Sequence, residues 1–126
     1  GTCITFDFIN SNKEYLGGSI SPGINMRYTA LHKYTSKLPL LESVEDIKLI
    51  GENTENSIHS GIINGVRSEI DGIIETYTKN FSNLKVIVTG GDIKFFDKAL
   101  KNSIFVNPNL LMEGLNKILD HNESYF

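Results

Sequence analysis

The sequence has no tryptophan, one cysteine and only three prolines in 126 residues. Cys3 has no second cysteine to pair with, so no internal disulfide holds the fold, and no Cys/His spacing matches a zinc site. No apolar run approaches the roughly 18 residues that a membrane-spanning helix needs. No secretory signal opens the chain. These absences predict a soluble, cytoplasmic protein that does not engage a membrane. An excess of positive charge is also missing: 12 Lys and Arg stand against 15 Asp and Glu, a net charge of −3. That balance offers no broad basic footprint, so no nucleic-acid partner is expected. There is no Walker-type phosphate loop and no G-x-G-x-x-G fingerprint. Gly18-Ser19-Ile20-Ser21 lacks the closing glycine of a nucleophile elbow. His32, His59 and His121 are scattered, and each is read as a surface or structural residue rather than a ligand.

What remains is the composition of a folded domain, with 40% hydrophobic and 21% charged residues. A chain of this length is one domain, and it buries about two-thirds of the surface its unfolded form exposes. It begins Gly1-Thr2-Cys3, without Met, and runs straight into an alternating apolar segment. A strand starting at the first residue is expected of a piece cut from something longer.

Residues 2–10 alternate, with Ile4, Phe6 and Phe8 on one face and Cys3, Thr5 and Asp7 on the other. Ser11-Asn12-Lys13 reads as a turn, and residues 14–21 read as the returning strand of a hairpin. Gly17-Gly18 within it marks either a bulge or the floor of a ligand site. Residues 24–34 are expected to form a short helix after Pro22-Gly23. A long helix follows, capped by Asn53 or Thr54. Its apolar stripe is Ile58, Ile62, Val66, Ile70, Ile73 and Tyr77. A second stripe is small: Ser57, Gly61, Gly65, Ser68 and Gly72. Each helical glycine costs about 1 kcal/mol relative to alanine, so close approach to a sheet or a partner helix is expected there.

Val86-Ile87-Val88 and Ile104-Phe105-Val106 read as strands buried on both faces. Between them, Gly90-Gly91-Asp92 opens a short helix through Phe95, Phe96, Ala99 and Leu100. Asn107-Pro108-Asn109 leads into a last helix carrying Leu111, Leu115, Ile118 and Leu119. The expected fold class is α/β, a mixed sheet flanked by helices.

Three places could carry chemistry. Asp7 is a carboxylate on the polar face of a strand. It is either hydrogen-bonded to a turn or a cation ligand beside phosphates, since an unpaired buried carboxylate costs several kcal/mol. Gly90-Gly91, after a strand and before a helix, would let a phosphate approach the backbone. Gly51-Glu52-Asn53-Thr54 is a helix cap whose threonine could also present its hydroxyl to a ligand.

In order, the segments Gly1-Thr2-Cys3-Ile4-Thr5-Phe6-Asp7, Tyr15-Leu16-Gly17-Gly18-Ser19-Ile20-Ser21-Pro22-Gly23, Lys37-Leu38-Pro39, Ile50-Gly51-Glu52-Asn53-Thr54, Ser60-Gly61 and Val88-Thr89-Gly90-Gly91-Asp92 resemble the C-terminal half of type III pantothenate kinases. The resemblance covers roughly residues 1–119. It implies a ribonuclease-H-like domain of the actin-like ATPase kind, with residues 1–126 forming the C-terminal domain of a two-domain kinase whose N-terminal domain is absent from this chain. It implies ATP-dependent phosphorylation of pantothenate to 4′-phosphopantothenate, the first step of coenzyme A synthesis. The expected partners are ATP and pantothenate, with Mg2+ accompanying ATP, a monovalent cation (K+ or NH4+), and a second copy in a homodimer.

By position, the resemblance implies that Asp7 holds the monovalent cation. Gly1, Thr2, Asn10, Gly90 and Gly91 face ATP, and Thr54 binds pantothenate. The family's Asp-x-Gly-Asn-Thr loop and the Gly-x-Asp-Arg segment with its catalytic Asp have no counterpart in these residues. The chain alone is therefore expected to have little or no kinase activity. The competing expectation is a non-catalytic dimerisation or regulatory module derived from the same fold.

Overall fold

In the computed structural model, which describes residues 2–96 and 104–124, the alternating first segment forms an antiparallel hairpin. Strand β1 (Cys3–Ile9) pairs with β2 (Tyr15–Pro22). Ile4, Phe6 and Phe8 are half-buried on one face, while Cys3, Thr5, Asp7 and Ile9 are exposed on the other. Asn10 builds the turn. Its Oδ1 accepts the backbone N–H groups of Asn12 and Glu14 at 3.0 and 2.9 Å, and its Nδ2 donates to Glu14 Oε2 at 2.6 Å. Lys13 takes a left-handed φ of 64° to close the loop.

The ladder then shifts. Phe8 faces Gly17 but Ile9 faces Tyr15, so Leu16 is an extra residue. Gly17, at φ 91°, supplies the left-handed conformation that the bulge uses. Gly18 is required for another reason: a methyl group there would fall 1.5 Å from the Phe6 carbonyl oxygen.

The chain divides into two compact units, Gly1–Glu69 and Ile70–Phe126. In the first, Gly23 N–H donates to the Thr2 carbonyl at 2.9 Å and closes the hairpin where helix α1 (Ile24–Lys33) begins. Ile24 and Tyr28, four residues apart on one face, are buried.

Residues 35–53 form no helix or strand, yet they are tied to the helix that follows. Ser60 Oγ donates to the Leu49 carbonyl at 2.5 Å, and Asn64 Nδ2 donates to the Lys48 carbonyl at 3.3 Å. Gly51 lies against the start of that helix, where an added methyl would sit 2.3 Å from Ser57 N. Asn53, not Thr54, is the cap: its Oδ1 accepts Asn56 N–H at 2.8 Å.

Helix α2 (Thr54–Asn80) contributes Ile58, Ile62, Ile63 and Val66 to the core of the first unit, with Ile63 and Val66 wholly shielded. Further along, Ile70 and Ile74 are buried, while Ile73 and Tyr77 are only half-buried. The apolar face therefore steps by fours from Val66 to Ile74 rather than drifting to Ile73 and Tyr77. The glycine stripe meets no neighbour. A methyl on Gly61, Gly65 or Gly72 would find nothing within 4 Å, so the expected close approach does not occur within the described chain.

The second unit holds two short parallel strands, β3 (Ile87–Val88) and β4 (Phe105–Val106), then helix α3 (Leu110–Glu123). Two expectations are corrected here. The strands are not buried on both faces: Ile87, Phe105 and Val106 are 44–59% exposed. Among the described residues there is also no single mixed sheet; β1–β2 and β3–β4 are each two-stranded. A β-branched run reports a preference for extended backbone, not what covers it. Leu111, Leu115, Ile118 and Leu119 of α3 are themselves exposed. The short helix expected after Gly91 is a single 3-10 turn at Ile93–Phe95, with Phe95 and Phe96 buried. Ala99 and Leu100 lie outside the described residues. Among the described residues no helix is long and apolar enough to cross a membrane.

The glycines give opposite predictions. Gly51→Ala is expected to cost about 1–3 kcal/mol through backbone displacement. Gly65→Ala is expected to add about 1 kcal/mol, because a better helix former meets open space. Denaturant unfolding of the two variants checks both signs.

Candidate functional site

The exposed face of the hairpin carries Asp7. Its partner is not a turn: Tyr15 Oη, on the neighbouring strand, donates to Asp7 Oδ1 at 2.8 Å. That hydrogen bond, followed by the negative charge of Asp7, raises the Tyr15 phenol above its ordinary value. Both side chains are exposed. Carboxylate oxygens are hard donors and suit alkali and alkaline-earth cations. Among the described residues, no group of three or more His, Cys, Asp or Glu side chains could hold a metal ion. Asp7 can thus supply one ligand to a weakly held cation, not a complete cage.

At the other end of β2, an ion-paired junction joins three elements. Arg27 of α1 donates through one amino nitrogen to Glu69 Oε2 of α2 at 2.6 Å and through Nε to the Pro22 carbonyl at 2.9 Å. Ser21 Oγ of β2 donates to Glu69 Oε1. Partial burial pushes the Glu69 carboxyl up, but the hydrogen bonds from Ser21 and Arg27 and the Arg27 charge outweigh it. The net effect holds Glu69 below the usual carboxylate value.

Beside this junction lies a groove of about 850 Å³ between α1 and the start of α2. Leu31, Leu38, Ile58 and Ile62 give it an apolar lining, and Arg27 and Thr54 bring polar groups to it. Thr54 is exposed and is the first residue of α2, held there by the Asn53 cap. Two histidines have structural partners, as expected. Tyr28 Oη lies 2.7 Å from His59 Nδ1, and His32 Nδ1 lies 2.8 Å from the Leu38 carbonyl. A carbonyl only accepts, so His32 Nδ1 carries the proton. Burial raises the Tyr28 phenol.

The remaining residues singled out in the sequence are dispersed. Gly1 lies outside the described residues. Thr2 is exposed at the start of β1, and Asn10 follows its end. At about 3.3 Å per residue they stand roughly 26 Å apart, so the structure does not bring them together. The side chain of Asn10 is committed to the turn. Gly90 and Gly91 belong to the second unit. Gly90 has φ 111°, and a methyl on either would meet nothing within 4 Å, so the backbone there is open to approach. Sequence reasoning missed Tyr15 and the Arg27–Glu69–Ser21 junction. The Gly17-Gly18 bulge was a signal for the first. Nothing local signals the second, because Glu69 is 42 and 48 residues from its partners.

These small sheets and helices define a mixed α/β protein, and its relatives place it more narrowly. The family model described as type III pantothenate kinase matches residues 1–76. A type III pantothenate kinase of Flavobacterium johnsoniae is 54% identical over 117 residues, covering 93% of this chain and 48% of that protein. One from Christiangramia forsetii is 52% identical over 124 residues, covering 98% and 51%. A solved structure from Campylobacter jejuni, described as a Baf family transcriptional activator, superposes with a TM-score of 0.62 at 25% identity, covering 98% of this chain and 55% of that one. The chain belongs to the type III pantothenate kinase family. It spans about half the length of the curated relatives it matches.

The junction makes the fold acid-sensitive. Glu69 has its pKa lowered by folding, so its contribution is complete above the unfolded carboxylate value and is lost as pH falls through the folded one. The unfolding midpoint is expected to drop below about pH 4. Glu69→Gln should lower the midpoint at pH 7 and flatten that dependence, read by thermal unfolding at pH 3–7.

Proposed function

We propose that this chain supplies the C-terminal half of a kinase that transfers the γ-phosphate of ATP to the hydroxyl of pantothenate, giving 4′-phosphopantothenate for coenzyme A synthesis. The observation that carries the reading is 52–54% identity to type III pantothenate kinases across more than nine-tenths of the chain. The finer assignments are part of the same proposal. They comprise a ribonuclease-H-like domain, a homodimer, K+ or NH4+ at Asp7, and Mg2+ arriving with ATP. Gly1, Thr2, Gly90 and Gly91 approach the nucleotide, and Thr54 binds pantothenate. Asn10 is the weakest of the nucleotide assignments, because its amide already holds the turn.

Phosphoryl transfer needs positioning and charge neutralisation more than covalent chemistry. Asp7 suits charge neutralisation, because it is exposed and the only hydrogen bond to its carboxylate among the described residues comes from Tyr15. A bound monovalent cation would add positive charge near the phosphates. The Gly90-Gly91 turn offers backbone that no side chain obstructs. Thr54 lines a largely apolar groove that Arg27 also borders, a pattern suited to a small polar substrate with an aliphatic body. The general base that accepts the pantothenate proton is assigned to the half of the kinase that this chain does not span. A role in contacting DNA draws no support from a net charge of −3.

The test is pantothenate-dependent ADP release by the complete protein carrying this sequence, in potassium and then in sodium buffer. Turnover in K+ that falls sharply in Na+ is expected. A folded complete protein inactive in both would overturn the reading. Thr54→Val should raise the KM for pantothenate about tenfold with kcat little changed, the cost of one lost hydrogen bond to substrate.

A further inference from the structure

We propose that Tyr15 is a positioning residue for the Asp7 carboxylate, fixing one oxygen so that the other is presented to the monovalent cation. The inference rests on the cation role given to Asp7 above. It starts from the hydrogen bond between Tyr15 Oη and Asp7 Oδ1 at 2.8 Å, the only one that the Asp7 side chain makes among the described residues.

The hairpin is built to place that phenol. In an antiparallel pair, residues directly opposite share a face, and i and i+2 on one strand share it too. Tyr15 stands opposite Ile9, two residues from Asp7, so Tyr15 and Asp7 are diagonal neighbours on the exposed face. That placement depends on Leu16. Were the Phe8–Gly17 register to continue without the bulge, Ile9 would face Leu16, and Tyr15 would pass to the other side of the sheet. The bulge in turn depends on Gly17 at φ 91°, and the return of the strand depends on Gly18, which has no room for a methyl. Two glycines in a strand interior weaken it. Here their result is a tyrosine hydroxyl brought to a carboxylate.

Both side chains are exposed, so the bond is not needed to satisfy buried groups. What it changes is freedom. An unrestrained Asp7 would have to be ordered by the cation itself, and a carboxylate already ordered binds at lower cost. The one ligand that Asp7 supplies suits a monovalent ion: Oδ2 is a hard oxygen with no hydrogen bond among the described residues.

The experiment uses the complete protein, its Tyr15→Phe variant and its Asp7→Asn variant. Two readouts are followed as KCl replaces NaCl at constant ionic strength. One is the K+ concentration giving half-maximal ADP release. The other is the K+ concentration giving half the rise in unfolding temperature, without substrates. Tyr15→Phe is expected to shift both midpoints three- to tenfold upward, the size of one hydrogen bond. Its rate at saturating K+, its KM for pantothenate and its unfolding temperature in Na+ should stay at wild-type values. Midpoints within threefold of wild type, while Asp7→Asn abolishes the K+ response, overturn the proposal and leave the role of Asp7 standing. A Tyr15→Phe variant already less stable in Na+ and slower at saturating K+ also overturns it, because the hydroxyl is then structural. A K+ response that is absent in the wild type, or that survives Asp7→Asn, overturns both readings.

Discussion

Burial of one face of α2 is the constraint on which the first unit depends. Ile58, Ile62, Ile63 and Val66 lie along it and are almost entirely shielded, as are Ile24 and Tyr28 of α1. Each fully buried aliphatic side chain contributes about 1.5–3 kcal/mol. A polar tie such as Ser60 to the Leu49 carbonyl contributes about 1 kcal/mol net. The apolar stripe therefore decides where the helix lies. The polar ties decide what is fastened to it: residues 48–53 through Ser60, Asn64 and Gly51, and the hairpin through Arg27 and Glu69. Among the described residues no buried side-chain polar atom lacks a partner. This matters because an unsatisfied one would cost more than a satisfied one contributes.

Two carboxylates show how one kind of side chain serves two ends. Glu69 is partly shielded, and it accepts from Ser21 and from a cationic Arg27. Its charge is already used, and its lowered pKa records that. Asp7 is exposed and is met only by a neutral phenol. A neutral donor orients a carboxylate without cancelling its charge, which leaves Asp7 able to attract a cation. An arginine in place of Tyr15 would have made an ion pair of the Arg27–Glu69 kind.

Much of the architecture was legible because it is local. Alternation from Ile4 to Phe8 set the faces of β1, Pro22-Gly23 marked the start of α1, and Asn53 carried the capping signal for α2. The readings that failed were those needing knowledge of neighbours. Val86-Ile87-Val88 has the composition of a covered strand, yet Ile87 is exposed. Gly61, Gly65 and Gly72 have the spacing of a packed seam, yet nothing in the described chain approaches them. Thr2 and Asn10 are both expected to face ATP, yet they flank opposite ends of one strand. Motif order is a statement about the chain; proximity is a statement about space.

The sequence by itself determined the family, the element order and the faces of the hairpin and of α2 from Ile58 to Ile70, because alternation, helical periodicity, caps and motif order act within a few residues of one another. Only the tertiary structure decided the rest. It set the register shift at Leu16 that turns Tyr15 toward Asp7, the pairing of Glu69 with residues more than 40 positions earlier, and the groove that Thr54 borders. Each of these depends on which side chain a bulge turns or on groups far apart in the chain; the glycine pair marks a bulge locally, but no local pattern encodes the partners it brings together.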